Sequence, residues 1–312
     1  MTLGYYDRGA TPFYACRLDQ RFSYCLYVPE DYDEAADERY RLIVAVHGTN
    51  RPASEYRDVF AAFAREQQCI VLAPLFPVGV TGPFELNDYK FISYGGVRFD
   101  HVLISMADEV AERYRIHDRW LMHGFSGGGH FTHRFLMLHP DRLLAASIGA
   151  PGMVTRLDRT LPWWTGIADV RERFGIDVDP AAMAAVAVQM VVGADDVATW
   201  EITLSEDDPR WVPGANDAGR TRIERIVALR ESFEAHGIAV RLDTVPGAHH
   251  EGWKLIPAVT EFFGEVLSAD HPPSTTTSAP PATSAPPAPP EPSAPSAPSA
   301  PSAPPRPLDQ GV

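Results

Sequence analysis

Residues 124–128 read Gly-Phe-Ser-Gly-Gly, a serine with glycine two before and two after it. Small residues at those spacings let a strand turn directly into a helix and lift the serine hydroxyl above a sheet. A serine hydroxyl is a weak nucleophile unless a base takes its proton. Two later segments supply the missing groups. Val191-Val192-Gly193-Ala194-Asp195-Asp196 puts paired carboxylates just past an apolar run. Val245-Pro246-Gly247-Ala248-His249-His250-Glu251-Gly252 puts paired imidazoles past another. Serine, carboxylate and imidazole together are the parts of nucleophilic acyl transfer. The residues alone leave open which member of each pair is used.

Acyl transfer also needs two N–H donors aimed at the oxygen that gains charge. The residue after the nucleophile, Gly127, is one expected donor. The turn His47-Gly48-Thr49-Asn50 supplies the other, with Thr49 as the candidate. His47 itself reads as a structural histidine bonding the loop backbone, and not as a base.

These groups need a frame. Residues 41–46, Arg-Leu-Ile-Val-Ala-Val, and 69–73, Cys-Ile-Val-Leu-Ala, are short apolar runs that fit strands buried on both faces. Further strands are expected at 120–123, 144–149, 186–192 and 239–245, after a two-stranded start within 13–29. Helical spacing falls at 56–67, 100–114, 130–138, 223–236 and 253–267. Strands alternating with helices predict an α/β fold, a mostly parallel sheet with helices on both faces. A loop over 74–96 is long enough to be functional. An insertion over 153–184, with Trp163 and Trp164, reads equally as a small lid or as a crossover helix with its loops.

The chain has 312 residues, and from His271 onward it is almost wholly Pro, Ala, Ser and Thr. Residues 1–270 are therefore expected to form one catalytic domain, and 271–312 an extended, disordered tail whose partner, if any, is unknown. A formal net charge of −14 argues against nucleic acid as a partner. The three cysteines, Cys16, Cys25 and Cys69, imply no disulfide framework, and no Cys/His spacing suggests a metal. No apolar run is long enough to span a bilayer. The start, Met-Thr-Leu-Gly-Tyr-Tyr-Asp-Arg, lacks the pattern of a secretory signal, so a cytoplasmic location is expected, with a trimmed leader left open.

Taken together, His47-Gly48-Thr49, Gly124-Phe125-Ser126-Gly127-Gly128, Gly193-Ala194-Asp195-Asp196 and Gly247-Ala248-His249-His250 resemble an α/β-hydrolase over nearly all of residues 1–270. The run Gly-Phe-Ser-Gly-Gly-Gly-His, followed by His-Pro-Asp-Arg, is similar to bacterial esterases related to poly(3-hydroxyalkanoate) depolymerases and dienelactone hydrolases. Serine in place of cysteine at the elbow speaks against dienelactone hydrolysis itself. The resemblance implies the chain order Ser126, acid, His. By its usual Gly-x-x-Asp and Gly-x-x-His spacings it implies Asp196 and His250. Gly124 and Gly128 would be the elbow glycines. The expected activity is carboxylic-ester hydrolysis on a small or polymeric acyl substrate, with no cofactor. A peptidase or amidase with the same triad is the alternative, and a binding module on the same fold is the third reading. Phe84, Tyr89, Tyr94, Trp163, Trp164 and Trp200 are candidates to line an apolar acyl pocket, although each taken singly reads first as core packing.

Overall fold

The apolar runs form the middle of a sheet. In a computed structural model, which describes residues 3–270, the chain opens with β1 (Gly9–Ala10), β2 (Tyr14–Ala15) and β3 (Ser23–Val28). β4 (Arg41–Val46) and β5 (Cys69–Leu75) follow. β6 (Ser93–Tyr94) and β7 (Val97–Arg98) make a separate small ribbon. The sheet is completed by β8 (Trp120–Phe125), β9 (Leu143–Gly149), β10 (Ala187–Gly193) and β11 (Val240–Val245). Strand order is β1-β3-β5-β4-β8-β9-β10-β11, with β2 also on β3. Every pairing from β5 through β4, β8, β9 and β10 to β11 is parallel. Within this sheet only the pairings made by β3, with β1, β2 and β5, are antiparallel. The expected mostly parallel α/β sheet is thus what the chain forms. The expected tail over 271–312 lies outside the described residues.

Burial explains why the central runs are continuous while the edge is not. All residues of β8 and β9 are buried, whereas no residue of β11, the edge strand, is fully so. Helices α1 (Ala53–Val59), α2 (Ala61–Glu66), α3 (Phe99–Arg113) and α4 (Gly127–Leu138) cover the first half. α5 (Val170–Phe174), α6 (Pro180–Ala184), α7 (Arg222–Glu234) and α8 (Gly252–Asp270) complete the set. The helical pattern expected over 56–67 is broken at Phe60 into two short helices.

Successive strand side chains point to opposite faces. Trp120 of β8 stacks on Phe135 of α4, with ring centroids 6.1 Å apart. His123, three positions on, faces Phe60, which in turn meets Phe263 of α8 at 6.4 Å. So α4 lies on one face, and α8 with the α1–α2 corner on the other. Phe76 joins α3 to α4 through Phe99 and Phe131. Cys16, Cys25 and Cys69 are all buried free thiols. Burial raises Cys25 to about 11 and Cys69 to about 12, which keeps both as protonated thiols.

This topology puts the turns after β4, β8, β10 and β11 at the same edge of the sheet. Open α/β sheets build their sites at that carboxyl edge.

Candidate active site

The turn after β8 runs directly from strand into helix. Ser126 adopts φ 55 and ψ −113, a conformation an L-residue avoids, and it caps α4. Two backbone bonds hold it there: its N–H donates to Gly149 O at 2.8 Å, and its carbonyl accepts from His130 N at 3.1 Å. The glycines are steric requirements. A Cβ on Gly124 would sit 2.3 Å from Gly128 O, and one on Gly128 would sit 2.2 Å from Val46 O. Both contacts are with backbone, which cannot step aside.

The turns after β10 and β11 are laced together. Ala194 N donates to Val245 O and Asp195 N to Ala248 O, each at 2.9 Å. Gly193 permits this closeness, because a Cβ there would lie 2.2 Å from Ala248 O. The doublets then divide their labour. His250 Nδ1 donates to Asp196 Oδ2 at 2.7 Å, and its Nε2 meets Ser126 Oγ at 2.9 Å. Asp196 is buried, and the imidazole leans on the Phe125 ring at 4.6 Å. Asp195 and His249 form a brace instead: the His249 ring Nδ1 donates to the Asp195 carbonyl oxygen at 3.0 Å. The structure therefore brings Ser126, Asp196 and His250 into one chain of hydrogen bonds and leaves Asp195 and His249 outside it.

The remaining expected residues gather at the serine. Gly127 opens α4, so its N–H has no acceptor within the helix. Thr49 lies inside the turn closed by Arg51 N donating to Gly48 O at 3.1 Å, beside the elbow. His47 is a structural histidine. Its Nδ1 donates to Gly48 O at 2.8 Å and its Nε2 accepts from Phe76 N at 3.0 Å. Burial pushes it down to about 3, so it stays neutral.

A cavity of about 750 Å³ opens over Ser126 and His250. Its aromatic rings are Tyr56, Phe125, Trp200 and Trp253. Of the aromatic candidates only Trp200 lines it. Trp163 and Trp164 are buried and pack around the Arg134 guanidinium; Tyr89 lies under the elbow, its hydroxyl donating to His47 O at 3.2 Å. Phe84 is 91% exposed and lies away from the cavity. The walls also carry six charged side chains: Lys90, Glu201, Arg210, Arg222, Glu251 and Lys254. The loop over 74–96 contributes Leu86, Asn87 and Lys90. The segment between β10 and α7 contributes Trp200, Glu201, Ile202 and Arg210. The insertion over 153–184 reaches the cavity only through Met153.

Sequence reasoning missed two residues here. Arg222, at the start of α7, is buried and touches Asp196 Oδ1 at 3.4 Å and Glu201 Oε2 at 2.7 Å. It links the acid to the segment over the cavity. Lys90 is buried, only 6% exposed, and its Nζ donates to Asn87 Oδ1 at 2.7 Å. No motif marks either one: Arg222 matters through contacts 21 and 26 residues away, and Lys90 through its packing against Gly127. Among the described residues no group of three or more metal-ligating side chains occurs, and no helix is long and apolar enough to cross a membrane.

No family model matches this chain, and no curated protein matches it in sequence. Solved structures do resemble it. Poly(aspartic acid) hydrolase-1 from Sphingomonas sp. KT-1 superposes with a TM-score of 0.63 at 22% identity, over 81% of this chain and 98% of that one. A poly(3-hydroxybutyrate) depolymerase from Bordetella parapertussis gives 0.63 at 20% identity, over 82% and 90%. An S-formylglutathione hydrolase from Staphylococcus aureus gives 0.55 at 12%, over 82% and 97%. The chain has the α/β-hydrolase fold.

Proposed function

We propose that this α/β-hydrolase-fold protein is a serine hydrolase that cleaves carboxylic esters through an acyl-enzyme on Ser126. One observation carries the reading: the unbroken line from Asp196 Oδ2 through His250 to Ser126 Oγ, with bonds of 2.7 and 2.9 Å, at the floor of a cavity. Both distances lie within the reach that proton transfer requires.

In this mechanism His250 Nε2 takes the Ser126 proton as Oγ attacks the ester carbonyl. Asp196 accepts from Nδ1–H, which fixes the tautomer that leaves Nε2 free as the base, and it stabilises the imidazolium that forms. Negative charge collects on the former carbonyl oxygen, facing the N–H groups of Gly127 and Thr49. The tetrahedral adduct collapses, the alcohol leaves with the proton from His250, and the acyl group stays on Ser126. Water, deprotonated by His250, then releases the acid by the same steps in reverse. Arg222 is a positioning residue that holds the Asp196 carboxylate against His250.

Ester chemistry is supported by similar structures that are named as a poly(3-hydroxybutyrate) depolymerase and a ferulic acid esterase; a poly(aspartic acid) hydrolase stands beside them, so amide cleavage is the reading the test must separate. The test is hydrolysis of a p-nitrophenyl ester series beside matched p-nitroanilides. Ester turnover at least a hundredfold above anilide turnover, absent in Ser126→Ala, is the expected result. Equal or faster anilide cleavage would replace the esterase reading with an amidase one.

A further inference from the structure

Four cations line the cavity: Lys90, Arg210, Arg222 and Lys254. Three of them have carboxylate partners. Arg210 pairs with Asp208 at 2.6 Å, Arg222 with Glu201 at 2.7 Å, and Lys254 with Glu251 at 2.8 Å. Among the described residues Lys90 alone of the four has no carboxylate within 4.0 Å. Its one hydrogen-bond partner is the neutral amide oxygen of Asn87, at 2.7 Å. An ammonium carries three donors, so two remain unused. A buried charge without a counter-ion is costly, and proteins keep such groups where a ligand supplies the partner.

Its place relative to the serine is given by Gly127. A Cβ on that glycine would lie 2.9 Å from Lys90 Cε, so the end of the lysine packs against the residue that follows the nucleophile. We infer that Lys90 is the anchor of an anion subsite beside the Ser126 elbow, and that the substrates this site prefers carry a carboxylate close to the scissile carbonyl. The inference deepens the serine-hydrolase reading and rests on it for the word substrate.

The surroundings favour an incoming anion. Arg51 from the turn after β4, Arg134 from α4 and Arg210 from the β10–α7 segment all face Lys90. His130 and His47 lie near it and are held neutral by burial. The one opposing charge is Glu201, which already pairs with Arg222. Asp88, two residues away, is occupied by the Tyr89 N–H at 2.8 Å and the Thr81 hydroxyl at 3.2 Å. Burial first, then the arginines, lower Lys90 to about 7. A bound carboxylate restores the charged form, so affinity for an anion must fall as pH rises above that value, while affinity for a neutral analogue stays flat.

The test uses the full chain carrying Ser126→Ala, which binds without turnover. Monomethyl succinate and dimethyl succinate are titrated calorimetrically at pH 6 and pH 9. The expected result is monoester binding at least tenfold tighter than diester binding at pH 6, with that preference lost at pH 9 and lost at both pH values when Lys90→Met is added. Equal binding of the two esters at pH 6, or a preference that survives both pH 9 and Lys90→Met, overturns the anion subsite. The pH arm needs no lysine variant, so it stands if Lys90→Met fails to fold. Hydrolysis of both esters by protein with Ser126 intact is scored separately. An anion preference without hydrolysis would overturn the serine-hydrolase reading and keep the subsite; hydrolysis without the preference would do the reverse.

Discussion

Two regions meet at the cavity, and they are built differently. The floor is backbone. The turns after β4, β8, β10 and β11 are tied by main-chain hydrogen bonds and by glycines that nothing larger can replace. The roof, from Ala194 to Thr221, is an irregular segment whose contributions are side chains: Trp200 at 78% exposed, Glu201, Ile202 and Arg210. The floor sets where Ser126, His250 and Asp196 stand. The roof and the Lys90 loop set what fits above them. Such a division lets one scaffold keep its chemistry while its walls vary, and it tells which substitutions should abolish turnover and which should only redirect it.

The sharpest break in the floor is within the doublets. Asp196→Asn should lower kcat/KM by about 10⁴-fold, because the amide cannot hold the working His250 tautomer. Asp195→Asn should change it by less than about threefold, since its contacts with the neighbouring turn are made by its main-chain N–H and oxygen. Steady-state kinetics on an activated ester checks both. Equal losses would mean the two carboxylates share the role.

Gly193→Ala attacks the lacing between the acid and histidine turns. The new methyl meets Ala248 O, so the turns must part. We expect a loss of about 2–3 kcal/mol in chemical denaturation, together with at least a tenfold drop in kcat. A stable but inactive protein would show that the lacing positions the triad without supporting the fold.

Arg222→Met tests the link between floor and roof. Losing the contact to Asp196 Oδ1 should lower kcat about tenfold with a smaller effect on KM. Its partner Glu201 is released at the same time, so a change confined to KM would assign Arg222 to the roof alone.

Lys90→Met should stabilise the protein in a defined pH window. The lysine ionises at about 7 in the folded chain against its usual 10.5 when unfolded. Between those values the unfolded state binds more protons, so the wild type gains stability as pH rises and is penalised in full below about pH 7. The variant should melt higher by roughly 5 °C at pH 6, with the gap closing towards pH 10. A gap independent of pH would exclude the buried charge as its cause. The smallest effect is expected from Trp200→Ala: a change in KM of about threefold and a melting shift under about 1 °C, because the ring is mostly in solvent.

The sequence made the floor legible and the roof nearly invisible, for a physical reason. Strands buried on both faces must be apolar runs, and a turn that admits no Cβ must carry glycine, so 41–46, 120–125 and the glycines around Ser126 announce themselves. The choice of Asp196 and His250 over their neighbours rested on resemblance; the hydrogen bonds of His250 run to Asp196 and Ser126. Lys90, Arg222 and the segment from Ala194 to Thr221 obey no period and no motif. Their positions depend on contacts between separate elements, as in the bond from Arg222 to Asp196, 26 residues apart. The aromatic residues could not be sorted from sequence for a related cause: Trp163 and Trp164 are apolar enough for either a pocket or packing, and they pack around Arg134.

The central claim is that Ser126 is an activated nucleophile. The direct measurement is intact-mass analysis after exposure of the folded chain to a fluorophosphonate, on wild type and on Ser126→Ala. The account predicts one adduct on the wild type and none on the variant. An unlabelled wild type that is folded, or an adduct that persists in Ser126→Ala, would contradict it.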